Sequence, residues 1–98
     1  MKSWHTDELN SLFNAILSLD SREECYKFFE DVCTVKELTD MAQRLKAARM
    51  LKSGANYIEI GKETGMSTAT ISRVSRCLEY GEGGYKMIIE RLEGEDKK

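Results

Sequence analysis

Apolar positions recur along most of this chain with the period of a helix. Leu9, Leu12, Phe13, Ile16 and Leu17 stand at i, i+3, i+4, i+7 and i+8, one stripe of a 3.6-residue repeat. Thr6, followed by Asp7 and Glu8, supplies an N-cap with acids in the first turn. Ser21-Arg-Glu-Glu24 has the form of a capping box and opens a second helix with Cys25, Phe28, Phe29 and Val32 on one side. Thr34-Val-Lys-Glu37 is a second such box. It opens a third helix with Leu38, Met41, Leu45 and Ala48 inward, stopped by Gly54. A short helix from about Tyr57 to Thr64, a turn at Gly65-Met66 and a helix from about Ser67 to Tyr80 follow. Gly81, Gly83 and Gly84 end that helix. Tyr85, Ile88, Ile89 and Leu92 form a last stripe, and Glu93 to Lys98 read as a frayed charged tail. No segment alternates with a period of two, so the expected fold is all-α with about six helices and a central helix-turn-helix.

Composition agrees with one helical domain over residues 1–98. The chain has 98 residues and no proline, within the size of a single core of roughly 100–150 residues. A chain this short gains core by pairing with a second copy. Asp7, Glu8 and Asp20 rule out a signal-peptide core near the start, and no apolar run reaches the ~20 residues of a membrane helix. Cys25, Cys33 and Cys77 are widely spaced and form no CxxC pattern, so neither a disulfide framework nor a zinc site is expected, and a cytoplasmic location fits. His5 is the single histidine, with no nucleophile and orienting partner around it. With no glycine-rich phosphate loop, metal-ligand spacing or acid–base pair, neither an enzyme nor a cofactor is expected.

The net charge of −2 looks wrong for a nucleic-acid binder until its distribution is read. Residues 44–76 carry seven bases against two acids, a net of +5, whereas residues 1–43 carry four bases against nine acids, a net of −5. A local basic face, not the total charge, draws phosphate. The basic stretch begins at Arg44 and runs into the two-helix segment from Tyr57 to Cys77, which carries Lys62, Arg73 and Arg76. There Gly61 is the small residue where the second helix crosses the first, and Gly65 is the turn residue that tolerates positive φ. Met66, Ile71 and Val74, with Ile58 or Ile60 behind them, make the inner face, and Ser67 caps the second helix. Thr68, Ala69, Ser72, Arg73 and Arg76 remain outward, with Thr70 at the edge. Small residues let the helix enter a major groove. Threonine methyls and Ala69 suit thymine methyl groups, and hydroxyls and amides suit phosphates. Arg73 and Arg76 can grip guanine or phosphate. Lys62, Arg44 and Arg49 extend the basic surface, so that the third helix helps to hold the backbone.

The run Gly65-Met-Ser-Thr-Ala-Thr-Ile-Ser-Arg-Val-Ser75 resembles the GxxxATITRxS recognition-helix signature of the Trp repressor superfamily, and most closely its YerC/YecD branch. The likeness spans about Thr34 to Leu78, with helices in matching places on either side. It implies an interlaced homodimer in which residues 1–52 and 84–93 build a shared core around the helix-turn-helix at 57–80. It implies double-stranded DNA as partner and a transcriptional regulator, expected to be a repressor. Trp repressors hold L-tryptophan with two arginines, which align with Arg44 and Arg73, and line the pocket with a threonine, which aligns with Thr34. Arg44, Arg49 and Thr34 are thus candidates for contact with phosphate or with a small effector. Two positions depart from that pattern. A glycine that makes room for the indole is Val74 here, and a serine that meets the ligand's ammonium group is Cys77. A branched side chain in the ring's place costs on the order of 1–3 kcal/mol in overpacking, so tryptophan is not the expected effector. The competing class is a protein-interaction module that keeps the helix-turn-helix shape without reading DNA, for which the acidic first third speaks. Failure of a folded dimer to select any DNA motif separates the two.

Overall fold

The computed structural model describes residues 2–96. They form six helices and no strand: α1 (Asp7–Leu17), α2 (Arg22–Val32), α3 (Val35–Lys52), α4 (Tyr57–Thr64), α5 (Thr68–Tyr80) and α6 (Gly84–Asp96). The chain divides into two compact units, Met1–Leu38 and Thr39–Lys98, with the division inside α3.

In the first unit, side-chain caps set where each helix begins. The Thr6 hydroxyl accepts from the Leu9 amide at 3.2 Å, and the Ser21 hydroxyl from the Glu24 amide at 3.1 Å. The returning Glu24 carboxylate accepts from Asp20, one residue ahead of the cap, at 2.8 Å. The Thr34 box closes in both directions: its hydroxyl accepts from the Glu37 amide at 3.1 Å, and its amide donates to Glu37 at 2.8 Å. Hydrogen bonds from the Thr34 backbone and hydroxyl favour the ionised Glu37 carboxyl and hold it below the ordinary glutamate range. Neither α1 nor α2 contains a buried residue. Their stripes are only half covered. Leu9, Leu12, Ile16, Cys25, Phe28 and Phe29 are intermediate, and Leu17 is 81% exposed.

The second unit has a continuous core of Ala47, Ala48, Ile60, Ile71, Val74, Leu78 and Ile89, flanked by Leu45, Met50, Leu51, Ala55, Met66 and Tyr85. Each fully buried isoleucine is worth roughly 1.5–3 kcal/mol relative to exposure, and Ile60, Ile71 and Ile89 place one such anchor on each of α4, α5 and α6. Ion pairs across the unit, Lys46–Glu63 at 3.6 Å and Lys52–Glu90 at 3.8 Å, link α3 to α4 and to α6. Because these pairs lie near the surface, each adds at most about 1 kcal/mol.

Three expectations change. Met41 is not an inward residue: it shares the face of Ala48 but lies about 10 Å earlier along α3, beyond the buried cluster, and is 49% exposed. Ala47, absent from the expected stripe, is fully buried instead. The charged stretch after Leu92 is helical as far as Asp96, since glutamate is a fair helix former and one glycine costs only about 1 kcal/mol. Lys97 and Lys98 of the expected tail lie outside the described residues.

Candidate nucleic-acid interface

Local hydrogen bonds start α4 and close the turn between α4 and α5. The Asn56 side chain, a cap not anticipated from the sequence, accepts from the Glu59 amide at 2.9 Å and starts α4. At its end the Thr64 hydroxyl donates to the Ile60 carbonyl at 2.7 Å and accepts from the Met66 amide at 3.2 Å, stitching the turn shut. Gly65 takes φ of 73°, and its amide donates to the Gly61 carbonyl, a left-handed conformation that side chains disfavour. Gly61 is under less constraint than expected. A Cβ there meets only the Met66 carbonyl, at the ordinary contact distance of 3.6 Å, so an alanine fits.

Ser67 starts α5. Its hydroxyl accepts from the Thr70 amide at 3.2 Å and bonds the Thr70 hydroxyl at 3.0 Å. These two residues therefore shape the leading edge of the helix. Burial sorts the remainder. Ile71, Val74 and Leu78 are buried, joined by Ile60 of α4, which settles the choice between Ile58 and Ile60. Met66 is half-buried, and Leu78 is an inner residue that the sequence reading omitted. Thr68, Ala69, Arg73 and Arg76 are exposed, as are Ser67 and Lys62, while Thr70 and Ser72 are half-buried.

The first turn of α5 has no acidic residue, so no carboxylate offsets the partial positive charge of its exposed amides. On α3, Arg44 is exposed and Arg49 half-buried. Arg49 lines an open apolar hollow of about 420 Å³ with Ala42, Leu45, Lys46 and Met50, residues spaced along one face of the helix. Thr34 belongs to the first unit, where its polar atoms form the α3 capping box. Val74 is 2% exposed and packed into the core, whereas Cys77, at the second departure from the tryptophan pattern, is exposed. The described residues include no group of three or more metal-ligating side chains and no helix long and apolar enough to cross a membrane.

The segment thus presents a buried inner face and a short polar outer face flanked by arginines. This chain is similar to known proteins in sequence and, for two crystal structures, in fold. YerC of Bacillus subtilis strain 168, an uncharacterised protein, is 58% identical over 85 residues, covering 87% of this chain and 82% of its own. A TrpR-like protein from Eubacterium eligens has a crystal structure that superposes with a TM-score of 0.88 at 50% identity, covering 90% of this chain and 91% of its own. A Trp-repressor-type protein from Staphylococcus aureus superposes with a TM-score of 0.86 at 51% identity, covering 90% of this chain and 88% of its own. Residues 7–93 match the Trp repressor protein family, and with the YerC relative they show that this chain belongs to that family, on its YerC branch.

Proposed function

We propose that the protein is a sequence-specific DNA-binding transcriptional regulator, a repressor, that reads the major groove with α5. The observation that carries this reading is the division of α5 into two faces. Ile71, Val74 and Leu78 are spent on the core, which leaves Thr68, Ala69, Arg73 and Arg76 outward. The α5 N-terminus, Lys62 and Arg44 supply phosphate contacts that set register and orientation without reading sequence. Arg49 and Thr34 are retained as candidate phosphate or effector contacts. Support for the repressor sign is the likeness to a Trp-repressor-type protein from Staphylococcus aureus.

The working form is a homodimer. Its support is the unburied apolar stripe on α1 and α2, which a second copy covers. Two-fold symmetry then sets the reading helices about 34–36 Å apart, over a near-palindromic site. A regulator of this kind works in the cytoplasm, at the nucleoid.

Duplex binding should fall steeply with salt as counterions are released. With 6–10 phosphates neutralised, affinity drops about a thousandfold or more between roughly 50 and 200 mM salt. Fluorescence anisotropy on a labelled duplex measures this, and salt-independent binding contradicts the reading.

Tryptophan is not the effector. Val74 fills the core at the position where the indole-binding relatives keep a glycine, and an aromatic ring cannot enter without displacing it. Calorimetric titration with L-tryptophan should therefore give no heat of binding at micromolar concentrations. Micromolar binding that strengthens DNA affinity would overturn the Val74 argument.

A further inference from the structure

On α4 one large apolar side chain faces away from the core. Ile58 is 71% exposed, whereas Ile60 is fully buried. Helical spacing puts Ile58 and Lys62 on one edge, four residues apart, and Glu59 and Glu63 on another. The acidic edge turns toward α3, because Glu63 pairs with Lys46. Gly61 lies between the buried face and the Ile58 edge, and its Cβ direction meets the Met66 carbonyl of the turn into α5. The Ile58–Lys62 edge is thus the α5 side of α4, continuous with the exposed face of the helix-turn-helix.

We infer that Ile58 is a specificity-determining residue of the DNA interface, packing against a thymine 5-methyl group at the wall of the major groove while Lys62 holds the adjoining phosphate. The inference rests on the DNA-reading function proposed above. The physical reason is restricted chemistry. An isoleucine has no donor or acceptor, and thymine's methyl group is the apolar feature that the major-groove edges of the four base pairs present. In helix-turn-helix complexes the first helix crosses the DNA backbone, which brings an outward residue in its first turn to the groove edge.

The test is a thymine-to-uracil scan. A duplex selected by the parent protein is remade with single uracils, each of which deletes one methyl group and no hydrogen-bonding atom. The duplexes are then titrated with the parent and with Ile58→Ala. At one thymine per half-site, uracil should weaken the parent about fourfold, the worth of one buried methyl group. Ile58→Ala should lose a similar factor on the thymine duplex and be indifferent to that uracil. An exposed residue leaves the melting temperature unchanged, so misfolding does not confound the comparison. Equal losses by the variant on thymine and uracil duplexes overturn the proposal, as does parental affinity in the variant. Dissociation of the dimer by Ile58→Ala overturns it as well and makes Ile58 a protein contact. A parent that selects no duplex overturns the DNA-reading function itself, an outcome distinguishable because it appears before any substitution.

Discussion

Ile71→Ala should destabilise the protein by about 2–5 kcal/mol, the usual cost of emptying a well-packed core position. Ile71 is 1% exposed and lies in the same cluster as Ile60, Val74 and Leu78, so the cavity opens beneath the outward face of α5. A domain of this size has only about 5–15 kcal/mol in total, and the loss takes a large share of it. Chemical denaturation followed by circular dichroism measures the effect as a lower midpoint at unchanged slope. DNA binding should fall with it, because Thr68, Ala69 and Arg73 keep their directions only while the inner face of α5 is seated. An Ile71→Ala protein with the parent's midpoint would mean that this cluster does not hold the helix.

Arg73→Ala and Arg76→Ala should act in the opposite way, on binding and not on stability. Both side chains are exposed, so each substitution should leave stability within about 0.5 kcal/mol of the parent. A base-reading arginine carries about 1–3 kcal/mol of discrimination, or roughly five- to 150-fold between a selected duplex and a random one. Each substitution should therefore reduce the ratio of specific to non-specific affinity in competition titrations. Lys62→Ala provides the contrast: a phosphate contact weakens every duplex alike and lowers the salt slope by about one. If both arginine variants discriminate between duplexes as the parent does, the outward face of α5 is not the reading surface.

Most of the secondary structure was legible because its signals are local. Thr6, Ser21, Thr34 and Ser67 each accept the amide bond that their position predicted. Gly65 holds the positive φ that the turn required. The sequence could not choose between Ile58 and Ile60, because both are β-branched residues of one short helix and only packing decides which turns inward. Met41 was misplaced for a related reason: periodicity gives the side of a helix but not how far along it the core extends. Asn56 was overlooked although Asn-Tyr-Ile-Glu59 carries the spacing of a cap. Lys46, counted only as part of the basic run, is paired with Glu63, so charge in sequence overstates charge offered to a ligand. At the candidate interface, spacing placed Thr68, Ala69, Arg73 and Arg76 outward, but Ser72, expected with them, is half-buried; the part Ser67 and Thr70 play in shaping the leading edge required their hydrogen bond.

Selection of duplexes from a random-sequence library by the purified protein tests sequence-specific DNA reading most directly. The expected result is one enriched motif, near-palindromic, with half-sites about one helical turn or 10–10.5 base pairs apart. It should be recovered by the parent and degraded at particular positions by Arg73→Ala or Arg76→Ala. A folded dimer that enriches no motif above the starting library would contradict it and make the helix-turn-helix a protein-docking module.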